Sequence, residues 1–148
     1  MRIAIACDHG GFLLKDTVLS TTRKLGHEAL DLGTFSTESV DYPDYAGKIG
    51  QAILKQHADR GILICGSGVG ASIAANKIKG LYAAICHDTY SARQGVEHDN
   101  MNVLCLGARI IGTELANELV QAFLSATFLN TGNYLRRVEK IKILENRF

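Results

Sequence analysis

The sequence predicts an α/β protein in which a five-stranded parallel sheet lies between two layers of helices. Short apolar segments recur along the chain, and most are apolar on both faces, as strands of a buried parallel sheet are. Longer segments with helical spacing separate them. Because repeated strand–helix units form parallel sheets with helices on both faces, we expect a three-layer α/β/α sandwich.

The predicted strands and helices alternate along the chain. The strands are Arg2–Cys7, Glu28–Leu32, Gly61–Cys65, Tyr82–Cys86 and Asn102–Leu106. The helices that follow them are Phe12–Leu25, Tyr45–His57, Ala71–Lys79, Thr89–Glu97 and Thr113–Leu124. The first helix carries one apolar stripe and ends before Gly26, a residue typical of helix ends. Asp88 or Thr89 is expected to cap the fourth helix.

A last helix, about Tyr134–Asn146, follows the polar segment "NTGN". It has no later strand to which the chain could return, so we expect it to pack on a partner. The side that would do so contains Val138, Ile141 and either Leu144 or Glu145. The chain shows no repeat and no linker, and residues 1–148 are therefore predicted to form a single domain.

Composition disfavours several classes of function. The chain has 47% hydrophobic residues, and its 16 basic and 15 acidic residues give a net charge of +1. This balance does not favour binding to nucleic acid or to a membrane surface. No signal peptide or membrane-spanning segment is recognised, and the expected location is the cytoplasm. The spacing of Cys7, Cys65, Cys86 and Cys105 predicts neither a zinc site nor a disulfide framework.

Polar residues follow the predicted strands, where parallel sheets bind their ligands. The segment Asp8–Gly11 follows the first strand, and Cys65 ends the third, before a glycine-rich turn. His87 and Asp88 follow the fourth strand, whereas Gly107 and Arg109 follow the fifth. His98 and Asp99 come just before the fifth strand. We expect all these polar groups to converge on one edge of the sheet.

The glycine-rich turn "GSGVGA" admits three interpretations. A tight strand-to-helix turn can need glycine for purely structural reasons. The segment also satisfies the pattern G-x-G-x-x-A of dinucleotide-binding folds, with Asp88 near the usual acidic position. The third interpretation is an anion hole, in which backbone N–H groups at a helix N-terminus face a phosphate or a developing oxyanion.

Cys65 favours the anion hole over the other two interpretations. A thiol beside a helix N-terminus is converted to thiolate more readily than a free one. A thiolate next to fixed N–H donors could remove a carbon-bound proton while those donors hold the resulting enolate. A dinucleotide-binding turn needs no cysteine there. Cys65 could equally be an ordinary buried residue at a strand end.

Five segments of the chain resemble a known family. They are "CDHGG", "DYPDYA", "ICGSGVGASIAANK", "EHDNMNVLCLGARIIG" and "RRVEKI". In this order they resemble ribose-5-phosphate isomerase type B and the galactose-6-phosphate isomerase subunits. The resemblance implies a Rossmann-like fold and the interconversion of aldose and ketose phosphates without metal or nucleotide cofactor. It also implies homodimers, in some members tetramers, with active sites at the subunit interface.

The resemblance implies specific roles for residues of this chain. Cys65 would be the base that moves a proton between C1 and C2, and His98 the acid that opens the sugar ring. The turn Gly66–Gly70, which includes Gly68 and Val69, would supply N–H groups to the enediolate, and Ser67 would assist. Substrate-binding roles fall to Asp8, His9, Tyr42, Asp99, Arg109 and Arg137, the two arginines holding the phosphate.

Each of these residues also has a simpler interpretation. Asp8 could cap the first helix, Tyr42 could simply pack, and His98 could be an ordinary residue at a helix end. Arg109 and Arg137 could be surface charges. His27, His57 and His87 receive no role, and Asp88 is expected to cap a helix.

Two departures from the family pattern concern the substrate. The family commonly has Arg-His where this chain has Asn133-Tyr134, and many relatives have asparagine where this chain has Asp99. The resemblance implies ribose 5-phosphate and ribulose 5-phosphate as the substrates, and the two departures leave a six-carbon sugar phosphate such as allose 6-phosphate as the alternative. A nucleotide-binding module is the alternative from a different class.

Overall fold

The computed structural model describes residues 1–148. Five strands form one sheet: β1 (Arg2–Cys7), β2 (Glu28–Asp31), β3 (Arg60–Cys65), β4 (Ala83–Ile85) and β5 (Val103–Gly107). Six helices accompany them: α1 (Phe12–Lys24), α2 (Tyr42–Leu54), α3 (Val69–Asn76), α4 (Thr89–Asp99), α5 (Thr113–Ser125) and α6 (Gly132–Arg147). The predicted order of elements is confirmed.

The sheet is parallel throughout, with the strand order β2-β1-β3-β5-β4. Strand β3 is central, between β1 and β5, and Cys65 at the end of β3 pairs with Gly107 at the end of β5. Because all strands run the same way, the segments that follow them share the carboxyl edge of the sheet. The segments that precede them share the opposite, amino edge.

The two faces of the sheet are covered by separate apolar clusters, which confirms the three-layer sandwich. The larger cluster joins the sheet to α1, α4 and α5 through residues such as Val18, Val96 and Phe123. The smaller cluster joins the other face to α2 and α3 through residues such as Ile49 and Ala75. None of the helices is both long and apolar enough to cross a membrane.

Two helices differ from the predicted bounds near the turn of interest. Helix α2 begins at Tyr42 rather than Tyr45, with Asp41 at its N-cap and Pro43 in its first turn. Proline fits there because the first N–H groups of a helix have no intrahelical acceptor. Helix α3 begins at Val69, two residues earlier than predicted, so the glycine-rich turn is itself the start of the helix.

Helix α6 packs on its own chain through Val138, whereas Ile141 and Leu144 stay exposed, so its packing on a partner remains a prediction. Val138 is buried, and the helix contacts α4. Near its end the Glu145 carboxylate accepts a hydrogen bond from the Gly80 N–H at 2.6 Å. Because Gly80 lies just before β4, this contact places α6 along the amino edge of the sheet.

Candidate functional site

Cys65 lies at the carboxyl edge of the sheet and is hydrogen-bonded to the turn that follows it. Its sulfur accepts a hydrogen bond from the backbone N–H of Gly68 at 3.0 Å. Gly68 is the N-cap of α3 and has a φ of +85°, a conformation that residues with a side chain rarely adopt. The turn therefore needs glycine at this position in order to direct an N–H group at the thiol.

The start of α3 offers further N–H groups beside the thiol. The first intrahelical hydrogen bond runs from the Ser72 N–H to the Gly68 carbonyl, and no side chain caps the helix. The Val69 N–H donates to Oγ of Ser67 at 3.3 Å. The N–H groups of Gly70 and Ala71 are left free, as the first N–H groups of a helix are. This arrangement has the chemistry of an anion hole.

Tyr42 covers the start of α3. A carbon added at the Cα of Gly70 would lie 2.7 Å from Cζ of the Tyr42 ring, so only glycine permits this approach. The tyrosine is the first residue of α2 and is 39% exposed. It therefore forms one wall of an open site rather than part of the core.

Asp8 and His9 follow β1 at the same edge. A carboxylate oxygen of Asp8 accepts a hydrogen bond from the Gly11 N–H at 3.0 Å, and Asp8 is buried. Gly11 is the N-cap of α1 and no side chain caps this helix, so Asp8 holds the turn before α1 rather than capping it. Nδ1 of His9 lies 3.2 Å from both the N and the O of Val40. The loop before α2 thus holds the His9 ring in place beside the turn.

Arg109 lies against the same turn on its other side. A carbon added at the Cα of Gly66 would lie 3.3 Å from the Arg109 guanidinium. Arg109 and His9 line a cleft of about 390 Å³ that reaches the N-terminus of α5 at Gly112 and Thr113. A cation, an imidazole and an uncapped helix N-terminus make this cleft suitable for an anion.

His87 belongs to this edge, although the sequence analysis gave it no role. Its Nε2 accepts a hydrogen bond from the Gly107 N–H at 3.0 Å. Burial also lowers the pKa of the imidazole. The ring is therefore held neutral at the end of β5. In the sequence, only its position directly after β4 indicates that it lies at this edge.

Asp88 caps α4 as expected. Its carboxylate accepts a hydrogen bond from the Ser91 N–H at 2.7 Å, which lowers the pKa of Asp88.

His98 and Asp99 do not lie at the carboxyl edge, and the expectation that they converge there is wrong within one chain. Both are in the last turn of α4, which starts after β4 and runs back towards the beginning of β5. At about 1.5 Å per residue the helix carries them roughly 14 to 15 Å away from its start. They lie at the amino edge, opposite Cys65.

His98 has its own surroundings at the amino edge. Its Nδ1 lies 2.8 Å from Nε2 of Gln94, and its ring packs against Tyr134 with centroids 4.5 Å apart. Arg137 follows Tyr134 by one helical turn on α6 and is exposed. The chain thus carries two separate groups of the expected site residues, one at each edge.

The other three cysteines are buried thiols whose pKa values are raised. All four are free. Burial raises the pKa of Cys7 and of Cys86 to about 11, and it raises that of Cys105 further. These three thiols are therefore protonated and inert near neutral pH. No three His, Cys, Asp or Glu side chains are grouped closely enough to hold a metal ion.

Comparison with known proteins extends over nearly the whole chain. Residues 3–141 match the family model described as Ribose/Galactose Isomerase. The chain is 44% identical over 146 residues to ribose-5-phosphate isomerase B of Escherichia coli, covering 99% of this chain and 97% of that protein. It is 41% identical over 148 residues to D-erythrulose-4-phosphate isomerase of Pectobacterium atrosepticum, with 99% and 97% covered.

A solved structure is similar to the same extent. The ribose-5-phosphate isomerase B of Clostridium thermocellum superposes with a TM-score of 0.95 at 45% identity, and the match covers 99% of both chains. Fold, sequence and family model therefore agree over the full length. On these grounds the chain belongs to the Ribose/Galactose Isomerase family.

Proposed function

We propose that this protein is an aldose–ketose isomerase that interconverts ribose 5-phosphate and ribulose 5-phosphate. The observation that carries the proposal is the hydrogen bond from the Gly68 N–H to the Cys65 sulfur, beside the free N–H groups of Gly70 and Ala71. This combination places a base next to an anion hole. The similarity to proteins named ribose-5-phosphate isomerase B supports the choice of substrate.

Proton transfer is the chemical step. The Cys65 thiolate removes the proton from C2 of the open-chain aldose, and the electrons of that C–H bond form the C1–C2 double bond of an enediolate. The N–H groups at the start of α3 stabilise the negative oxygen. The proton of the C2 hydroxyl passes to the C1 oxygen, and the Cys65 thiol then returns the carbon-bound proton to C1 as the C2 oxygen becomes the ketone. No electron acceptor and no cofactor is required.

The phosphate is assigned to the cleft beside Arg109. His9, Arg109 and the N-terminus of α5 line this cleft, next to the turn that holds Cys65. A guanidinium can form two parallel hydrogen bonds with phosphate oxygens, and a helix N-terminus adds a partial positive charge. The open-chain sugar would then extend from this cleft, past Asp8, to the thiol.

We further propose that each complete site contains residues of two chains. Cys65 and His98 lie at opposite edges of the sheet and cannot act on one sugar within the same chain. In a two-fold dimer the amino edge of one copy would meet the carboxyl edge of the other, bringing His98, Asp99 and Arg137 to the neighbour's Cys65. The exposed apolar side chains Val69 and Ile73 surround the turn and would be covered.

A second substrate class has its own support. The similarity to D-erythrulose-4-phosphate isomerase indicates that closely related sequences act on sugar phosphates of other lengths. Asn133, Tyr134 and Asp99 lie in the group of residues at the amino edge that would close over the sugar. Differences in sequence at these positions would change which sugar phosphate binds and would leave the type of reaction unchanged.

The proposal is tested by turnover of a panel of four-, five- and six-carbon aldose phosphates, with product detected by NMR. The highest kcat/KM is expected for ribose 5-phosphate, and the Cys65→Ala variant serves as the control for contaminating activity. A higher kcat/KM for a sugar phosphate of another chain length would show that ribose 5-phosphate is not the preferred substrate. No turnover of any aldose phosphate by the wild type would refute the isomerase proposal.

A further inference from the structure

We propose that Gln94 is a positioning residue that keeps the ring proton of His98 on Nε2. This inference rests on the proposed function, with His98 in the ring-opening role that the family resemblance implies, here as a neutral imidazole whose N–H donates a hydrogen bond to the ring oxygen of the sugar. A neutral imidazole carries its single proton on either nitrogen, and only one of the two tautomers can donate a hydrogen bond from a given atom. The residue that selects the tautomer therefore decides whether the histidine can work.

The contact between the two side chains has the right geometry for this role. Nε2 of Gln94 lies 2.8 Å from Nδ1 of His98, well within hydrogen-bond distance. The residues are four apart on α4, so they are neighbours on one helix face. An amide N–H that donates to Nδ1 occupies the lone pair of that nitrogen. The proton of the neutral ring must then be on Nε2.

The opposite nitrogen is free to act. Nε2 of His98 makes no hydrogen bond within the chain, whereas Nδ1 is bound to Gln94. In the two-chain site, Nε2–H is therefore the donor available to the sugar ring. Because an amide does not ionise, Gln94 performs this selection without adding charge to the histidine.

Tyr134 restrains the ring from a second direction. Its ring and that of His98 have centroids 4.5 Å apart and planes inclined by 31°. The hydrogen bond to Gln94 fixes which edge of the imidazole faces α4, and the packing against Tyr134 limits rotation about its axis. Since Tyr134 comes from α6, this helix has a role in holding the acid as well as in carrying Arg137.

The tautomer of His98 can be measured directly by ¹⁵N NMR of the ring nitrogens, at a pH where the ring is neutral. The wild type should show a protonated Nε2 and an unprotonated Nδ1. In Gln94→Glu the carboxylate accepts from Nδ1–H, so the proton should move to Nδ1. The side chain in Gln94→Met has no N–H donor, so both tautomers should be populated. The averaged ¹⁵N chemical shifts of the two ring nitrogens should then move away from the values of a single tautomer. Gln51→Glu, the same change at an exposed position of α2, should leave the His98 signals unchanged.

The NMR result decides the proposal whether or not the protein isomerises ribose 5-phosphate. A proton on Nδ1 in the wild type, or on Nε2 in the Gln94→Glu variant, would overturn it. The wild-type measurement needs no variant, so a folding defect in one variant does not prevent the test. Absence of isomerase activity with the expected tautomer would refute the proposed function alone.

Kinetics then connect the tautomer to the reaction. One positioned hydrogen-bond donor to a developing negative oxygen contributes about 100- to 1,000-fold, and at neutral-ring pH Gln94→Glu should lose at least about 10-fold on cyclic substrate. Its rate on an open-chain aldose phosphate should change little. Tyr134→Ala should show the same selective loss, and Tyr134→Phe, which retains the ring, should restore the rate. Equal losses on cyclic and open-chain substrates would contradict the positioning role.

Discussion

The sulfur of Cys65 accepts a hydrogen bond from the backbone N–H of Gly68 at 3.0 Å. A strand end, a left-handed glycine and the first turn of α3 together produce this contact. The contact fixes the sulfur beside the N–H groups of the proposed anion hole, where the proposed base is needed.

Replacement of Cys65 by alanine should abolish isomerisation and leave substrate binding largely intact. General-base catalysis contributes about 100- to 10,000-fold, so kcat should fall by at least about 100-fold. Binding of ribose 5-phosphate, measured by calorimetry, should remain because Arg109 and His9 are unchanged. Cys86→Ala, which removes another buried thiol, should remain active. Near-normal turnover by Cys65→Ala would show that the cysteine is structural.

Alkylation should distinguish Cys65 from the other three thiols. Burial raises the pKa of Cys7 and of Cys86 to about 11, so these residues remain protonated near neutral pH. Iodoacetamide should modify Cys65 first, inactivate the enzyme, and react more slowly when ribose 5-phosphate is present. Peptide mass spectrometry identifies the modified residue. Inactivation with modification at another cysteine would contradict the assignment.

The sequence predicted the sheet well because its strands are apolar on both faces and end in recognisable residues. It placed Cys65, Asp8 and Arg109 at one edge correctly, since each ends a strand or follows one within two residues. His98 was misplaced because it precedes a strand, and such a segment lies at the other edge of a parallel sheet. The contact between His87 and Gly107 could not be predicted, because it depends on β4 lying beside β5.

Protonation of His87 should destabilise the fold. Burial lowers its pKa below the ordinary value of 6.5, and its Nε2 accepts from the Gly107 N–H. The unfolded chain therefore binds the proton at higher pH than the folded one. The stability that depends on a neutral His87 is complete above pH 6.5 and declines as the pH falls through the lowered pKa.

Urea unfolding of the wild type and His87→Gln between neutral and mildly acidic pH measures this contribution. The variant should be about 1 kcal/mol less stable at neutral pH, the usual contribution of one hydrogen bond. The difference should shrink as the pH falls, because the wild type alone loses the contact. Exposed His57, replaced by glutamine, provides the control. A difference that is independent of pH would contradict the role of His87.

Lys15 and Asp31 should stabilise the loop that leads to the site. The Lys15 side chain is 4% exposed, and its Nζ lies 3.0 Å from Asp31 and 2.6 Å from the Thr34 carbonyl. Lys15→Met would leave the Thr34 carbonyl without this donor, whereas the partly exposed Asp31 would keep its hydrogen bond from the Gly33 N–H, so the change should cost about 2 kcal/mol in urea unfolding. Lys24→Met, an exposed change on the same helix, should alter stability by less than about 0.5 kcal/mol. Equal effects of the two changes would show that the pair contributes nothing.

Mixing of inactive variants tests whether the two edges serve one site across a dimer. Arg137→Ala should raise KM strongly, because the proposed site has no second arginine at Asn133, and it leaves Cys65 unchanged. A dimer of one Arg137→Ala chain and one Cys65→Ala chain would contain one intact site and one doubly altered site. After random exchange, activity should recover to about one quarter of the wild type at substrate concentrations that leave Arg137→Ala inactive.

The matched control for this mixing is a second pair of variants. Asp8 lies at the same edge as Cys65, so a dimer of Asp8→Ala and Cys65→Ala chains has one altered residue in each site and should remain inactive. Recovery in the first mixture alone would locate Arg137 in the neighbour's site. Recovery in neither mixture, with mixed dimers verified by native mass spectrometry, would mean that each chain supplies both residues to its own site. His98→Asn in place of Arg137→Ala should behave in the same way on cyclic substrate, because both residues lie at the amino edge.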